Sequence, residues 1–320
     1  VIIYSTLKLG ETAREVLKEW EVSYDDPSDA EVILAWPTQV TQILDRAPKL
    51  KYIQTFSAGV DGLPFDKLPK GVRVFSNAGA YSLPVAEHAW ALVLALAKMV
   101  NRRERNAQSY MLTRKTLLVI GCGGIGSKVA QIGKSAFSMW VLGVSRSFKS
   151  QDFDERHSIN ELPELLSRAD VSVISLPLNK HTRSLFDYKM LSCVKQNSIM
   201  VNVGRAELVV EDDLKKVLLE RPDFRFGTDV FWRKNGREEF ESELWSYPNF
   251  MGTPHTAGAD SNREVFEEAV LQAVKNVRTL LTTHRSKRSE SRGLLVIFIM
   301  SWCTIGVNAL VSSYAFEREL

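Results

Sequence analysis

The sequence predicts an α/β protein of two consecutive units with parallel sheets, and three observations carry that expectation. Short apolar runs of strand length alternate with segments of helical periodicity through most of the chain. One long helix with a nearly unbroken apolar middle, residues 89–97, divides the alternation in two. A glycine cluster, Gly121-Cys-Gly-Gly-Ile-Gly126, falls where an apolar strand hands over to a helix.

In the first unit, strands are expected over 1–4, 32–35, 52–55 and 72–75, with helices over 11–20 and 39–47. The long helix spans 84–105, with Pro84 in the first turn, where a missing N–H costs nothing. The alternation then restarts. Strands at 117–120, 140–144, 171–175, 199–203 and 225–228 are separated by helices at 125–136, 159–167, 189–193 and 211–220. Such alternation places parallel strands side by side with helices on both faces.

Composition narrows the function class. The 320 residues are 45% hydrophobic and 25% charged, which describes a folded globular chain. A formal net charge of +3 is too small for a nucleic-acid footprint. The three cysteines, Cys122, Cys193 and Cys303, form no disulfide framework and no metal-ligand spacing. They suit a reducing, cytoplasmic setting. Residues 1–4 read as a first strand rather than a secretion signal. The far end is atypical: 294–311 is an uncharged run of eighteen residues behind the basic stretch 284–292. That approaches the roughly 20 residues a membrane-spanning helix needs, and makes the 284–320 tail a candidate for membrane association. Ser301, Thr304, Gly306 and Asn308 dilute the run, so a buried segment closing the fold is the alternative.

The glycine cluster is the strongest local signal. A G-x-G-x-x-G pattern alone is weak, but here the strand TLLVI precedes it and a helix follows. Gly121 makes the tight turn, Gly123 lets the backbone approach a pyrophosphate, and Gly126 lets helix and strand pack closely. With Gly124 and Ile125 they present the helix N-terminus, with its free N–H groups, to the phosphates. This is the pattern of a dinucleotide-binding Rossmann unit. A nicotinamide adenine dinucleotide site places Asp or Glu about 20 residues further on, against the ribose hydroxyls. Here the sequence is Val144-Ser-Arg-Ser147, with no carboxylate. Ser145, Arg146 and Ser147, helped by Lys149, are suited to a 2′-phosphate, so NADP(H) is expected over NAD(H).

Several further stretches, in order, resemble the D-isomer-specific 2-hydroxyacid dehydrogenases of the glyoxylate/hydroxypyruvate reductase type. They are Phe56-Ser-Ala-Gly-Val-Asp61, Asn77-Ala-Gly-Ala80, Val85-Ala-Glu-His-Ala89, Ser175-Leu-Pro-Leu178 with Thr182, Val201-Asn-Val-Gly-Arg205, Thr228-Asp-Val-Phe231 and Thr253-Pro-His-Thr-Ala-Gly258. The resemblance runs from about residue 32 to about residue 277 and fades after about residue 283. It implies two doubly wound Rossmann-like domains with the active site in the interdomain cleft. The expected division is 1–97 for the first part of the substrate domain and 98–259 for the nucleotide domain. Residues 260–283 return to the substrate domain, and 284–320 form the tail. It also implies a homodimer and a small 2-oxo or 2-hydroxy acid as substrate. His255 is then the catalytic acid/base, as an imidazole with a pKa near about 6.5 can be. Arg205 grips the substrate carboxylate, for which a planar guanidinium is well shaped. Backbone N–H groups of Ala58, Gly59 and Val60 bind its other side. Leu176, Pro177, Thr182, Val203, Gly204, Arg205, Asp229 and His255 complete the cofactor site.

Four features depart from the family pattern. The Glu expected five residues after Asp229, as partner of the histidine, is Lys234. The segment from Trp232 to Glu239 is about two residues longer than usual. Either Glu238 or Glu239 takes over through a rebuilt loop, or His255 works without a carboxylate and Lys234 lowers its pKa further. The stretch 101–115 is short, and Ser138 stands where glycine is usual. The leading expectation is an NADP-dependent oxidoreductase acting on glyoxylate or hydroxypyruvate. The competing one is a catalytically weakened dinucleotide-sensing protein of the same fold.

Overall fold

A computed structural model describes residues 1–60, 62–100, 107–258 and 262–290, with side chains described as far as Thr283. The chain opens with β1 (Ile2–Ser5), α1 (Glu11–Val16), β2 (Glu21–Ser23), β3 (Ala30–Ala35), α2 (Pro37–Val40), β4 (Tyr52–Thr55) and β5 (Arg73–Phe75). The long helix is α3 (Ser82–Lys98). Then follow β6 (Thr116–Ile120), α4 (Gly124–Phe137), β7 (Trp140–Val144), β8 (Glu155–His157), α5 (Leu162–Arg168), β9 (Val171–Ile174), α6 (Tyr188–Leu191), β10 (Ile199–Asn202), α7 (Glu211–Glu220) and β11 (Arg225–Thr228). A hairpin of β12 (Arg233–Lys234) and β13 (Arg237–Glu238), the strand β14 (Phe250–Gly252) and the helix α8 (Arg263–Glu290) complete it.

Contacts divide the chain into two units, 1–80 with Arg263 onward, and Tyr81–Asn262. The first holds a five-stranded parallel sheet of order β2-β1-β3-β4-β5. Its helix α8 presents Val270, Ala273, Val274, Val277 and Leu281 at helical spacing, and these pack on Ile3, Ala13, Leu17, Val32, Leu34 and Phe56. The second unit holds a seven-stranded parallel sheet of order β14-β11-β10-β9-β6-β7-β8. From β6 the chain winds outward through β7 and β8, then returns to β9 on the other side. Ligands of open α/β sheets bind at the carboxyl ends of the strands at such a switch point.

The boundary expected at 97/98 is corrected: α3 belongs with the second unit. Two glycines explain why. A Cβ on Gly133 of α4 would lie 2.9 Å from the Trp90 ring, and one on Gly227 of β11 would lie 3.0 Å from Leu96. Their absence lets α3 lie flat on α4 and the sheet. Buried Arg225 fastens its far end, donating to Leu96 O and Gln108 O at 2.6 Å each. Among the described residues no helix is long and apolar enough to cross a membrane, and the 294–311 run lies outside them.

Candidate active site

The glycine turn joins β6 to α4. Gly121 has φ +102°, a left-handed conformation that glycine adopts freely, and a Cβ there would lie 2.7 Å from Ser175 O. A Cβ on Gly126 would fall 2.0 Å from Gly121 O, so helix and strand meet only because none is present. Around Gly123, the residue before α4, a Cβ would meet nothing within 4 Å. The turn is therefore tight below and open above, as a pyrophosphate cradle requires. Cys122 between them is fully buried, and burial pushes its thiol up to about 12, which rules it out as a nucleophile.

The other residues assigned to the cofactor lie at the carboxyl ends of neighbouring strands. Ser145, Arg146 and Ser147 follow β7, with Arg146 and Ser147 exposed and Ser145 N donating to His157 O at 3.2 Å. Leu176 and Pro177 follow β9, and Val203, Gly204 and Arg205 follow β10. A Cβ on Gly204 would lie 2.8 Å from Leu176 O, so these two loops touch through backbone. The Thr182 hydroxyl is turned inward, donating to Pro177 O at 2.7 Å and accepting from Asn179 N at 2.9 Å. It closes the loop. Asp229, also assigned to the cofactor, is 2% exposed, and its carboxylate faces the loop after β14. Its Oδ1 accepts from Thr253 Oγ1 (2.7 Å) and Thr256 N (2.8 Å), and its Oδ2 from Ala257 N (3.1 Å). A buried carboxylate needs such donors to offset its lost hydration.

That loop carries His255, whose φ of +55° is left-handed. For a residue other than glycine this costs about 1–2 kcal/mol and persists only where the surroundings hold it. His255 Nδ1 lies 2.6 Å from Glu238 Oε2. Glu238 arrives by way of a tight turn that the flanking residues do not announce. Asn235 (φ +52°) and Gly236 (φ +80°) make the two-residue turn of the β12–β13 hairpin, the Asn-Gly signal for this turn type. The hairpin pairs Arg233 with Glu238 and Lys234 with Arg237, and successive pairs face opposite sides. Glu238 therefore faces His255 while Lys234 is exposed on the other side. The expectation that Lys234 depresses the histidine is corrected by that register. Aromatic packing holds the hairpin base, with Phe231 against Phe240 and Trp245. Arg233 Nη1 reaches Glu207 Oε1 at 3.2 Å, just beyond Arg205.

The electrostatics follow from the pairing. The hydrogen bond to Glu238 raises the His255 pKa, against opposing effects from burial and from Arg205. Burial pushes Glu238 up, but the hydrogen bond and charge of His255 outweigh it and hold the carboxyl below its ordinary value. Arg205 is extended (φ −142°), its Nη1 donating to Gly204 O at 2.8 Å, and the buried Asn202 side chain donates to Arg205 O at 2.9 Å. In the first unit, Asn77 pins the loop after β4 by donating to Phe56 O and Ser57 O. No acceptor among the described residues takes the amides of Ala58, Gly59 or Val60. No group of His, Cys, Asp and Glu among the described residues could hold a metal ion.

These features define a dinucleotide-binding oxidoreductase with an imidazole–carboxylate pair near a guanidinium. A family model described as D-isomer specific 2-hydroxyacid dehydrogenase, NAD binding domain, matches residues 78–257. The chain belongs to the D-isomer specific 2-hydroxyacid dehydrogenases. It is 28% identical to a glyoxylate reductase of Pyrococcus furiosus, over 82% of this chain and 83% of that one. It is 31% identical to a glyoxylate/hydroxypyruvate reductase B of Pectobacterium carotovorum, over 68% of this chain and 72% of that one. A glycerate dehydrogenase related protein from Thermoplasma acidophilum superposes with a TM-score of 0.65 at 33% identity, covering 88% of this chain and all (100%) of that one.

Proposed function

We propose that the chain is an NADP(H)-dependent reductase of small 2-oxo acids, of the glyoxylate or hydroxypyruvate kind, working reversibly. The observation that carries the reading is the His255–Glu238 pair at 2.6 Å. In reduction, His255 donates its proton to the carbonyl oxygen as that oxygen gains charge, and recovers it from solvent afterwards. Glu238 stabilises the imidazolium that must be present at the start, and Arg205 binds the substrate carboxylate and draws the carbonyl into line. A bound nicotinamide supplies the hydride to the carbonyl carbon. The glycine turn and the amides of Gly124 and Ile125 hold the pyrophosphate, and Ser145, Arg146 and Ser147 hold the 2′-phosphate. The amides of Ala58, Gly59 and Val60 are suited to a carboxylate.

Relatives named glyoxylate reductase and glyoxylate/hydroxypyruvate reductase support the substrate class. The competing idea of a weakened nucleotide sensor rests on Lys234 in place of a carboxylate, and Glu238 beside His255 removes that support. The test is oxidation of NADPH and, in parallel, NADH with glyoxylate, hydroxypyruvate, pyruvate and phenylpyruvate. Turnover with NADPH favoured is expected; a strong NADH preference overturns the reading of Ser145–Ser147. His255→Ala is expected to lower kcat by about 10²–10⁴-fold, and unchanged turnover removes it as the acid. The chain is also taken as a homodimer, which sedimentation equilibrium checks.

A further inference from the structure

His88 lies on the second turn of α3, and no catalytic step uses it. Its Nε2 is 2.8 Å from Thr253 Oγ1 and 3.4 Å from Asp229 Oδ1, with His88 and Thr253 165 positions apart in the chain. Counting protons fixes the direction of these bonds. A threonine hydroxyl has one hydrogen, and Thr253 donates it to Asp229 Oδ1 at 2.7 Å. The Thr253 oxygen can then only accept, so His88 must carry a hydrogen on Nε2. The chain of donors runs from His88 Nε2 to Thr253 Oγ1 to Asp229 Oδ1. Asp229 in turn receives the amides of Thr256 and Ala257. Thr253 and Thr256 bracket His255, whose left-handed backbone the segment must hold.

We propose that His88 is a positioning residue for the acid/base loop, anchoring Thr253 and Asp229 to the rigid α3 and so fixing where the His255 ring stands. This rests on the reading of His255 as the acid. Helix α3 suits that role because Ala86, Ala89, Trp90, Leu92 and Val93 around His88 are all buried, which leaves its backbone little freedom. A side chain on that helix transfers the rigidity to a loop that has no regular structure of its own.

The test compares two replacements in the full chain. His88→Gln keeps an N–H donor near the position of Nε2, while His88→Leu removes it. In His88→Leu, kcat is expected to fall about 10²-fold, the loss a small misplacement of a reacting group can cause. The KM for cofactor and the melting temperature stay near wild type. His88→Gln recovers kcat to within about threefold of wild type. Thr253→Val reproduces the loss, and the His88→Leu/Thr253→Val double variant is no worse than either single change, as two links of one chain require. Independently of turnover, amide exchange at Thr256 and Ala257 quickens about 10-fold in His88→Leu and not in His88→Gln. If the wild type reduces no 2-oxo acid, the functional reading fails while the exchange measurement still decides this one. Wild-type exchange at both amides in His88→Leu overturns the proposal, as does a His88→Gln variant no better than His88→Leu.

Discussion

Two turns of the second unit reach the left-handed region of backbone space by opposite routes. At Gly121 the chain uses a residue that adopts φ +102° without cost, and the turn is written in six neighbouring letters of sequence, Gly121 to Gly126. At His255 it uses a residue that resists φ +55°, and the conformation is held from outside by Asp229, 26 positions earlier. The first turn has to leave room for a ligand's phosphates, so a side chain there is a liability. The second has to present a side chain, so glycine is excluded and distant partners hold the strain. Strain of this kind gathers where a ring must point in one direction only.

Substitutions at left-handed or crowded positions test that contrast, and the largest effect falls at the first turn. In Gly126→Ala the added carbon meets Gly121 O at 2.0 Å. A destabilisation of about 3 kcal/mol or more in urea unfolding is expected, with loss of dinucleotide binding by fluorescence. An unchanged urea midpoint would show that α4 can back away from the strand.

Next in size is Glu238→Gln, which leaves the hairpin but removes the charge facing His255. Turnover is expected to fall about 10²-fold. Because Glu238 raises the His255 pKa, its removal moves the alkaline limb of 2-oxo acid reduction to lower pH. Stability follows the same pair. A histidine raised on folding contributes fully below its unfolded pKa and loses the contribution as pH rises through the folded one. A carboxyl lowered on folding contributes above its unfolded pKa and loses it as pH falls through the folded one. The pair therefore adds most between about pH 4.3 and about pH 6.5. Denaturation midpoints of wild type and Glu238→Gln should diverge most in that window, and parallel curves would sink the coupling.

The hairpin turn gives a smaller effect. Around Gly236 a Cβ would meet nothing within 4 Å, so Gly236→Ala carries only the backbone cost of φ +80°. About 1 kcal/mol of stability is expected to be lost, with a kcat loss larger than the change in cofactor affinity, since the turn sets where Glu238 meets His255. Equal losses in both would contradict that. Smallest is Ser138→Gly, at the left-handed residue (φ +50°) that ends α4. It should raise stability by up to about 1 kcal/mol in thermal unfolding without altering turnover.

The sequence exposes the first turn and hides the holding of the second for a physical reason. Strands β4, β7 and β11 and helix α7 coincide with the runs read from periodicity, because burial on a sheet or helix face imprints a local repeat. Strands β2, β8 and β14, three residues each, are not marked by an apolar run of strand length, whereas β5, equally short, is marked by Val72, Val74 and Phe75. Asn235-Gly236 is a hairpin signal, yet its flanks, Arg233-Lys234 and Arg237-Glu238, are charged rather than apolar, and nothing local marks them as strands.

What the sequence determined alone is the alternating α/β architecture, the glycine turn and the residue types at 205 and 255, since each depends on neighbours within a few positions. What only the tertiary structure decided is who holds them. The register of a two-residue turn put Glu238 rather than Lys234 against His255. Hydrogen bonds across 27 and 165 residues tied Asp229 and His88 to the same loop. Such partnerships depend on where the folded chain brings distant segments, and no local pattern encodes that.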